Sequence, residues 1–249
     1  MNMAFYIGKS GLRAHSDDMN IAAQNVTNVS TIGYKATTGV FRELVYNTMD
    51  QNFNKELSEE KKILNGHGTK IEADSLQFSQ GQIATTSFDL DFAIEGDDGL
   101  FAVERNEEVQ YTRNGAFDAS VEDDGVYLVT SDGGYVLDQS GNRIKIPRDD
   151  KNQLDVESLS QKIGVYSFTN PFGLERIDGQ SFRPTETSGD PQAASRDSNK
   201  IVQGAIERSN TDLAKEMSDV IVLQKAYQFS AKVVQTADEI EDIVNNLRG

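Results

Sequence analysis

Cysteine is absent from the 249-residue chain, which excludes disulfides, thiolate nucleophiles and cysteine-based metal sites. Histidine is scarce. Only His15 and His67 could offer an imidazole, and neither has a partner at ligand spacing. Basic residues are outnumbered, with 24 Lys and Arg against 40 Asp and Glu and a net charge of -16. Binding to nucleic acid needs clustered cations, so that balance speaks against it, and against an anionic membrane surface for the same reason. No apolar run approaches the length that spans a bilayer, so no membrane insertion is expected. The opening stretch "MNMAFYIGKSGLRAHSDD" has no basic segment followed by an apolar one, and does not read as a cleaved secretory signal. No Gly-rich phosphate loop, nucleophile elbow or His–carboxylate pairing occurs, so the expectation is a non-enzyme with no cofactor and no metal.

What is present is a change of period along the chain. Residues 3–28 follow a helical repeat, with Leu12, Met19 and Val26 at seven-residue spacing. Gly8 and Gly11 weaken that helix unless another backbone approaches closely. The last forty residues carry a stronger pattern. Leu213, Val220, Tyr227 and Val234 form one seven-residue series, and Val233, Ile240 and Leu247 form another. No Gly or Pro interrupts Ser209–Arg248, Ser209 or Asn210 can cap the start, and Asp212 suits the first turn. A helix of about 36 residues would be roughly 54 Å long, which suits a coiled coil or bundle.

Between these ends the period falls to two. "SFDLDFAIEG" puts Phe88, Leu90, Phe92 and Ile94 on one face of a half-buried strand. Turn signals follow at Asp97-Asp98-Gly99, Asn114-Gly115, Asp124-Gly125, Asp132-Gly133-Gly134 and Ser140-Gly141-Asn142. The resulting expectation is an α+β chain in which long N- and C-terminal helices pack as a coiled coil or bundle. A mostly antiparallel β domain is inserted between them. The expected boundaries are 1–35 for the first helix and its exit, 36–69 for an extended arm, 70–205 for the β domain (its outer part roughly 147–200) and 206–249 for the last helix. The segment "NKELSEEKKILNGHG" is a charged excursion within the arm.

The first helix ends in "AAQNVTNVSTIGYK", a crowd of small amides and hydroxyls. Asn25 and Asn28 are three apart and share a face, where their amides can satisfy carbonyls at the helix end or reach a neighbouring helix. Gly33 permits a turn out of the helix. "NVTNVSTIGYK" resembles the Asn-rich segment ending in Thr-x-Gly-(Phe/Tyr)-Lys of the bacterial flagellar rod and hook proteins. "LDFAIEGDDGLFAV" and "YTRNGAFDASVEDDGVYLVTSDGGYVLDQSGNRIKIP" look like that family's central β segments, and "IERSNTDLAKEMSDVIVLQKAYQFSAKVVQTADEI" is similar to its C-terminal helix. Within the family, "YSFTNPFGLERIDGQSFRPTETSGDP" and the long arm after Lys35 look most like the distal rod branch, with the proximal rod branch as the near alternative. Between Pro147 and Ile163 the chain is shorter than the distal pattern.

The resemblance implies a structural subunit that stacks helically on copies of itself into a tube enclosing the export channel. Its partners would be neighbouring rod and hook proteins, the flagellar type III export apparatus and, in a Gram-negative envelope, a ring bushing. The place would be the flagellar basal body in the cell envelope, reached without a cleaved signal. The residues expected to carry assembly are Leu12, Met19, Asn25, Val26, Asn28, Thr31, Gly33, Tyr34 and Lys35 near the start, and Ser209, Asn210, Leu213, Met217, Val220, Gln224, Tyr227 and Val234 near the end. Two other classes compete for the same features. The clusters Glu95-Asp97-Asp98 and Glu122-Asp123-Asp124 could be imagined as catalytic or metal-binding carboxylates, but solvated β-turns account for them. A free-standing extracellular β binding module would fit the middle of the chain, but would have no use for two amphipathic ends.

Overall fold

The computed structural model describes residues 3–44, 47–48, 64–65, 68–147, 155 and 158–248. Most of the charged excursion, with His67, lies outside them. The chain divides into two units, one of residues 1–26, 37–75 and 213–249 and the other of residues 27–36 and 76–212.

The first unit is built on two long helices, α1 (Met3–Thr27) and α3 (Leu213–Arg248), with a two-stranded ladder of β1 (Thr37–Glu43) and β2 (Thr69–Leu76). The helices run alongside each other in opposite senses. A methyl group at Gly8 would come within 2.7 Å of Val234 Cγ2 and 3.4 Å of the Ser230 carbonyl, and one at Gly11 within 3.0 Å of Ser230 Oγ. Nearer the other end, Asn25 Nδ2 donates to Glu216 Oε1 at 3.0 Å. The glycines that weaken α1 as an isolated helix therefore stand where α3 comes close.

This contact corrects the coiled-coil expectation. A heptad seam inserts large apolar knobs into holes on its partner. Here the buried positions of α1 are Gly8, Ala14, Ala22 and Asn25, while Leu12, Met19 and Val26 are only half-buried. On α3 the buried residues are Leu223 and Ala237. Leu213 and Tyr227 of the first series are exposed, and Val233, Ile240 and Leu247 of the second are exposed throughout. The fold is α+β, with a helix pair joined by small and polar side chains rather than by a heptad core.

The second unit is antiparallel. Its strands are β3 (Ile83–Thr85), β4 (Phe92–Glu95), β5 (Leu100–Arg105), β6 (Glu108–Thr112), β7 (Phe117–Glu122), β8 (Gly125–Thr130) and β9 (Tyr135–Val136). After the short helix α2 (Leu159–Lys162) come β10 (Val165–Ser167), β11 (Glu175–Arg176), β12 (Ser181–Arg183), β13 (Gln192–Ala193), β14 (Lys200–Gln203) and β15 (Ala205–Glu207). Nine of these form one sheet. Its order is β11-β12-β6-β5-β9-β8-β7, with β10 also paired to β5 and β13 to β10. Two further ladders, β4 with β14 and β3 with β15, join the early part of this unit to its last residues.

Strand β5 is central and buried on both faces. Phe101 belongs to a core with Phe117, Leu128 and Ile163, while Leu100 and Ala102 face a second core with Tyr111, Phe168 and Phe182. The β5–β6 hairpin pairs Arg105 with Glu108 across Asn106 and Glu107, whose φ angles are 51° and 65°. Positive φ at both central residues is the type I′ geometry that matches strand twist. The expected strand at "SFDLDFAIEG" is shorter than its alternation suggests. Asp91 N donates to Phe88 O at 3.3 Å, which turns the chain there, and Phe88 is 72% exposed, so the ladder with β14 begins only at Phe92.

Candidate functional site

Two features concentrate the sequence-predicted residues, one within each unit. The first is the segment Gly33–Lys35 in the β unit. Gly33 has φ 68°, and its N–H donates to the Glu207 carbonyl at 2.8 Å. A Cβ there would lie 2.5 Å from Arg113 C and Asn114 N. The glycine thus lets two backbones meet as well as permitting the turn. Tyr34 follows, fully buried, with the Arg176 guanidinium 4.7 Å over its ring and Arg176 Nη1 donating to its hydroxyl at 3.1 Å. Arg176 Nη2 also donates to the Lys35 carbonyl.

Lys35 is fully buried too. Its Nζ donates to Glu207 Oε1 at 2.7 Å and to the Ser79 carbonyl at 2.8 Å. The other oxygen of Glu207 accepts from Arg113 Nη1 at 3.0 Å, and Oε1 also accepts from Gly81 N at 2.7 Å. Arg113 Nη2 reaches the Gly96 carbonyl at 2.7 Å, while its buried Nε has no hydrogen-bond partner among the described residues. One carboxylate therefore serves two buried cations. Burial pushes the Lys35 ammonium below its ordinary range, and the charge of Glu207 opposes that push. Asn210 completes the enclosure, accepting from Ala36 N at 2.7 Å and donating to the Gln77 carbonyl at 2.7 Å.

Gly33, Tyr34, Lys35 and Asn210 are thus spent inside the subunit. Asn210 and Ser209 do not cap α3, because Asn210 is committed to this enclosure and Ser209 Oγ donates to Thr211 Oγ1 at 2.8 Å. Thr31 and Asn28 bond each other at the exit of α1, Thr31 N to Asn28 O at 3.0 Å and Thr31 Oγ1 to Asn28 Oδ1 at 3.2 Å.

The second feature is the helix pair of the first unit. Asn25 is buried and its amide acts as a strand partner for Thr37, accepting from Thr37 N at 2.9 Å and donating to Thr37 O at 2.7 Å. Beside it, Asp18, Glu216 and Asp219 line a cavity of about 230 Å³. Burial first, then the Asp219 charge, raises Asp18, against the pull of His15. Burial also raises Glu216, with Asp219 and Asp18 adding to it and the Asn25 hydrogen bond and Lys215 opposing.

Outside that seam the helices present large apolar side chains. Among the expected residues Leu213, Met217 and Tyr227 are exposed, as is the polar Gln224, while Leu12, Met19, Val26, Val220 and Val234 are half-buried. Exposed residues that the heptad reading passed over include Ile221, Val222, Phe229, Ile243 and Val244. The two missed polar residues of most consequence are Glu207 and Arg113. Their signal in the sequence was weak, a charged residue at the end of each of two β-prone stretches.

Family models match the middle and the end of the chain. Residues 202–247 match the family model described as flagellar basal body rod FlgEFG protein C-terminal, and residues 93–160 match the flagellar hook protein FlgE/F/G D1 domain. The flagellar basal-body rod protein FlgG of Borreliella burgdorferi is 32% identical, over 100% of this chain and 99% of that protein. The protein of the same name from Bacillus subtilis is 30% identical over 98% and 99%, and that from Buchnera aphidicola subsp. Baizongia pistaciae 31% over 95% and 96%.

Proposed function

We propose, since the chain belongs to the flagellar basal-body rod protein family, that it is a structural subunit of the flagellar rod. It would polymerise with copies of itself and with neighbouring rod and hook proteins into the axial shaft that transmits torque. It works without catalysis, as an exported building block delivered through the flagellar type III apparatus to the basal body. The likeness to proteins named FlgG along the whole chain supports the distal rod assignment.

The observation that carries the assembly reading is the outward face of α3, where Phe229 is 65% and Leu247 81% exposed in the single subunit. Exposed apolar surface of that extent marks an interaction site. Tyr227, Met217 and Leu213 lie on the same helix and belong to the proposed surface, together with Met19, Leu12 and Val26 of α1. Asn25, Gly33, Tyr34 and Lys35 serve assembly by fixing each unit's own geometry.

The test is Phe229→Asp combined with Leu247→Asp. Both side chains are open to water in the subunit, so its thermal stability should move by no more than about 0.5 kcal/mol. Assembly, followed by sedimentation of purified full-length protein and by motility of a complemented deletion strain, should be lost. Wild-type assembly by the double variant would remove α3 from the interface.

A further inference from the structure

The buried ion cluster depends on residues that are far apart in chain order. Lys35 and Arg113 precede their shared carboxylate by 172 and 94 residues. Asp97 is the next acid acting on Lys35, but it is exposed and its Oδ1 accepts from Gln80 N at 3.1 Å. Until Glu207 is in place, the β unit would enclose two neighbouring cations with no buried counter-charge. It would also leave the N–H groups of Gly33 and Gly81 without the acceptors they have in the finished fold. A buried charge that loses its partner is among the most destabilising single defects. The ladders point the same way. Strands β3 and β4, early in the unit, pair with β15 and β14, its last two strands. Asn210 then bonds Ala36 and Gln77.

We infer that Glu207 is a closing counter-charge, which makes folding of the whole β unit wait for the segment 205–210. A chain delivered from its N-terminus would carry Gly33–Lys35 and most of the sheet strands in an open state. It would close only when its last β segment arrives. The local alternative is an ion triad that merely fills space, for which an uncharged side chain of the same shape would serve as well.

The experiment is Glu207→Gln in the full-length chain, alone and with Lys35→Met, followed by urea unfolding and amide hydrogen exchange. The expected loss in Glu207→Gln is at least about a hundredfold in the folding equilibrium constant, roughly 3 kcal/mol at 1.4 kcal/mol per tenfold. Protection should fall in β7 and β8 as well, although these strands carry none of the residues bonded to Glu207. Adding Lys35→Met should recover at least about tenfold of the loss, because one uncompensated cation is removed. With Glu207 uncharged, the folded state would hold the Lys35 proton still less tightly, because burial and Arg113 push it down and the opposing charge is gone. The stability of Glu207→Gln should therefore climb from pH 7 to pH 10 more steeply than that of the parent. If Glu207→Gln fails to fold, recovery of folded protein on adding Lys35→Met supports the inference. Three results would overturn it: failure of both variants to fold, loss of protection confined to residues 81–85 and 205–210, or a deeper loss on adding Lys35→Met.

Discussion

Alanine at Gly33 meets two penalties that can be separated by experiment. The first is conformational, because φ there is 68° and an L side chain in the left-handed region costs about 1–2 kcal/mol. The second is steric. The new Cβ would lie 2.5 Å from Arg113 C and Asn114 N and 2.8 Å from Arg113 O, all of them backbone atoms that cannot rotate away. Forcing a methyl group into such a site costs about 1–3 kcal/mol. Moving Arg113 to relieve it would also disturb the 3.0 Å bond from Arg113 to Glu207. The sum for Gly33→Ala is about 2–5 kcal/mol. Gly133 supplies the control, since its φ is 81° and nothing lies within 4 Å of its Cβ position. Gly133→Ala should cost only the conformational part. The gain from stiffening the unfolded chain applies to both variants and cancels in their difference. Urea unfolding followed by tyrosine near-UV circular dichroism should therefore place Gly33→Ala about 2 kcal/mol below Gly133→Ala. Equal costs at the two positions would refute the close backbone approach.

Asn25→Ala should destabilise the first unit by about 2–4 kcal/mol, because it strips the partners from two buried backbone groups of Thr37 at once. Thermal unfolding followed by far-UV circular dichroism measures it, and a cost under about 1 kcal/mol would mean that water takes the place of the amide. The helix pair should become more stable as the pH falls from 7. Asp18 and Glu216 are raised above 3.8 and 4.5, so the folded pair holds protons more tightly than the unfolded chain. The gain should build as the pH drops through their folded values, finish below their ordinary ones, and shrink in Asp219→Asn. Hydrogen exchange around Ala22 and Leu223 reads it, and protection that falls with pH, or is indifferent to Asp219→Asn, would contradict the assignment.

The helices were legible in outline because local signals suffice for them. An uninterrupted run without Gly or Pro gives α3, and the rush of turn-forming side chains after Thr27 ends α1. The face each helix turns inward was not legible. Periodicity marks where large apolar residues lie, and the pair, Leu223 apart, instead buries small or polar ones, which carry little hydropathy signal. In the β unit, Asp124-Gly125 announced a turn, whereas Asn106-Glu107 did not, because Glu seldom takes positive φ. The segment Gly33-Tyr34-Lys35 stood out as a motif, but its role depends on Arg113, Arg176 and Glu207, which no local window contains. An acid at the end of β15 reads as a solvated charge until the fold supplies two cations beside it.

The small-residue seam and the exposed apolar residues are two consequences of one arrangement. Placing Gly8 against Val234 and Ser230, and Gly11 against Ser230, lets the helices approach closely, and it leaves many of the bulkier side chains of both helices outside the contact. Within one subunit that is a poor use of hydrophobic material, since each fully buried Ile, Phe or Leu is worth about 1.5–3 kcal/mol. Covering what remains exposed of Ile221, Phe229, Ile243 and Leu247 would release about 4–8 kcal/mol before the entropy of association is counted. That range is comparable to the stability of a whole domain. If the proposed assembly surface is right, a subunit of this design would hold much of its uncovered hydrophobic material for contacts with its neighbours. Its β unit instead has the buried Glu207 cluster and two packed cores of its own. On the proposed function, the division would suit a subunit that travels singly and becomes rigid only in the shaft.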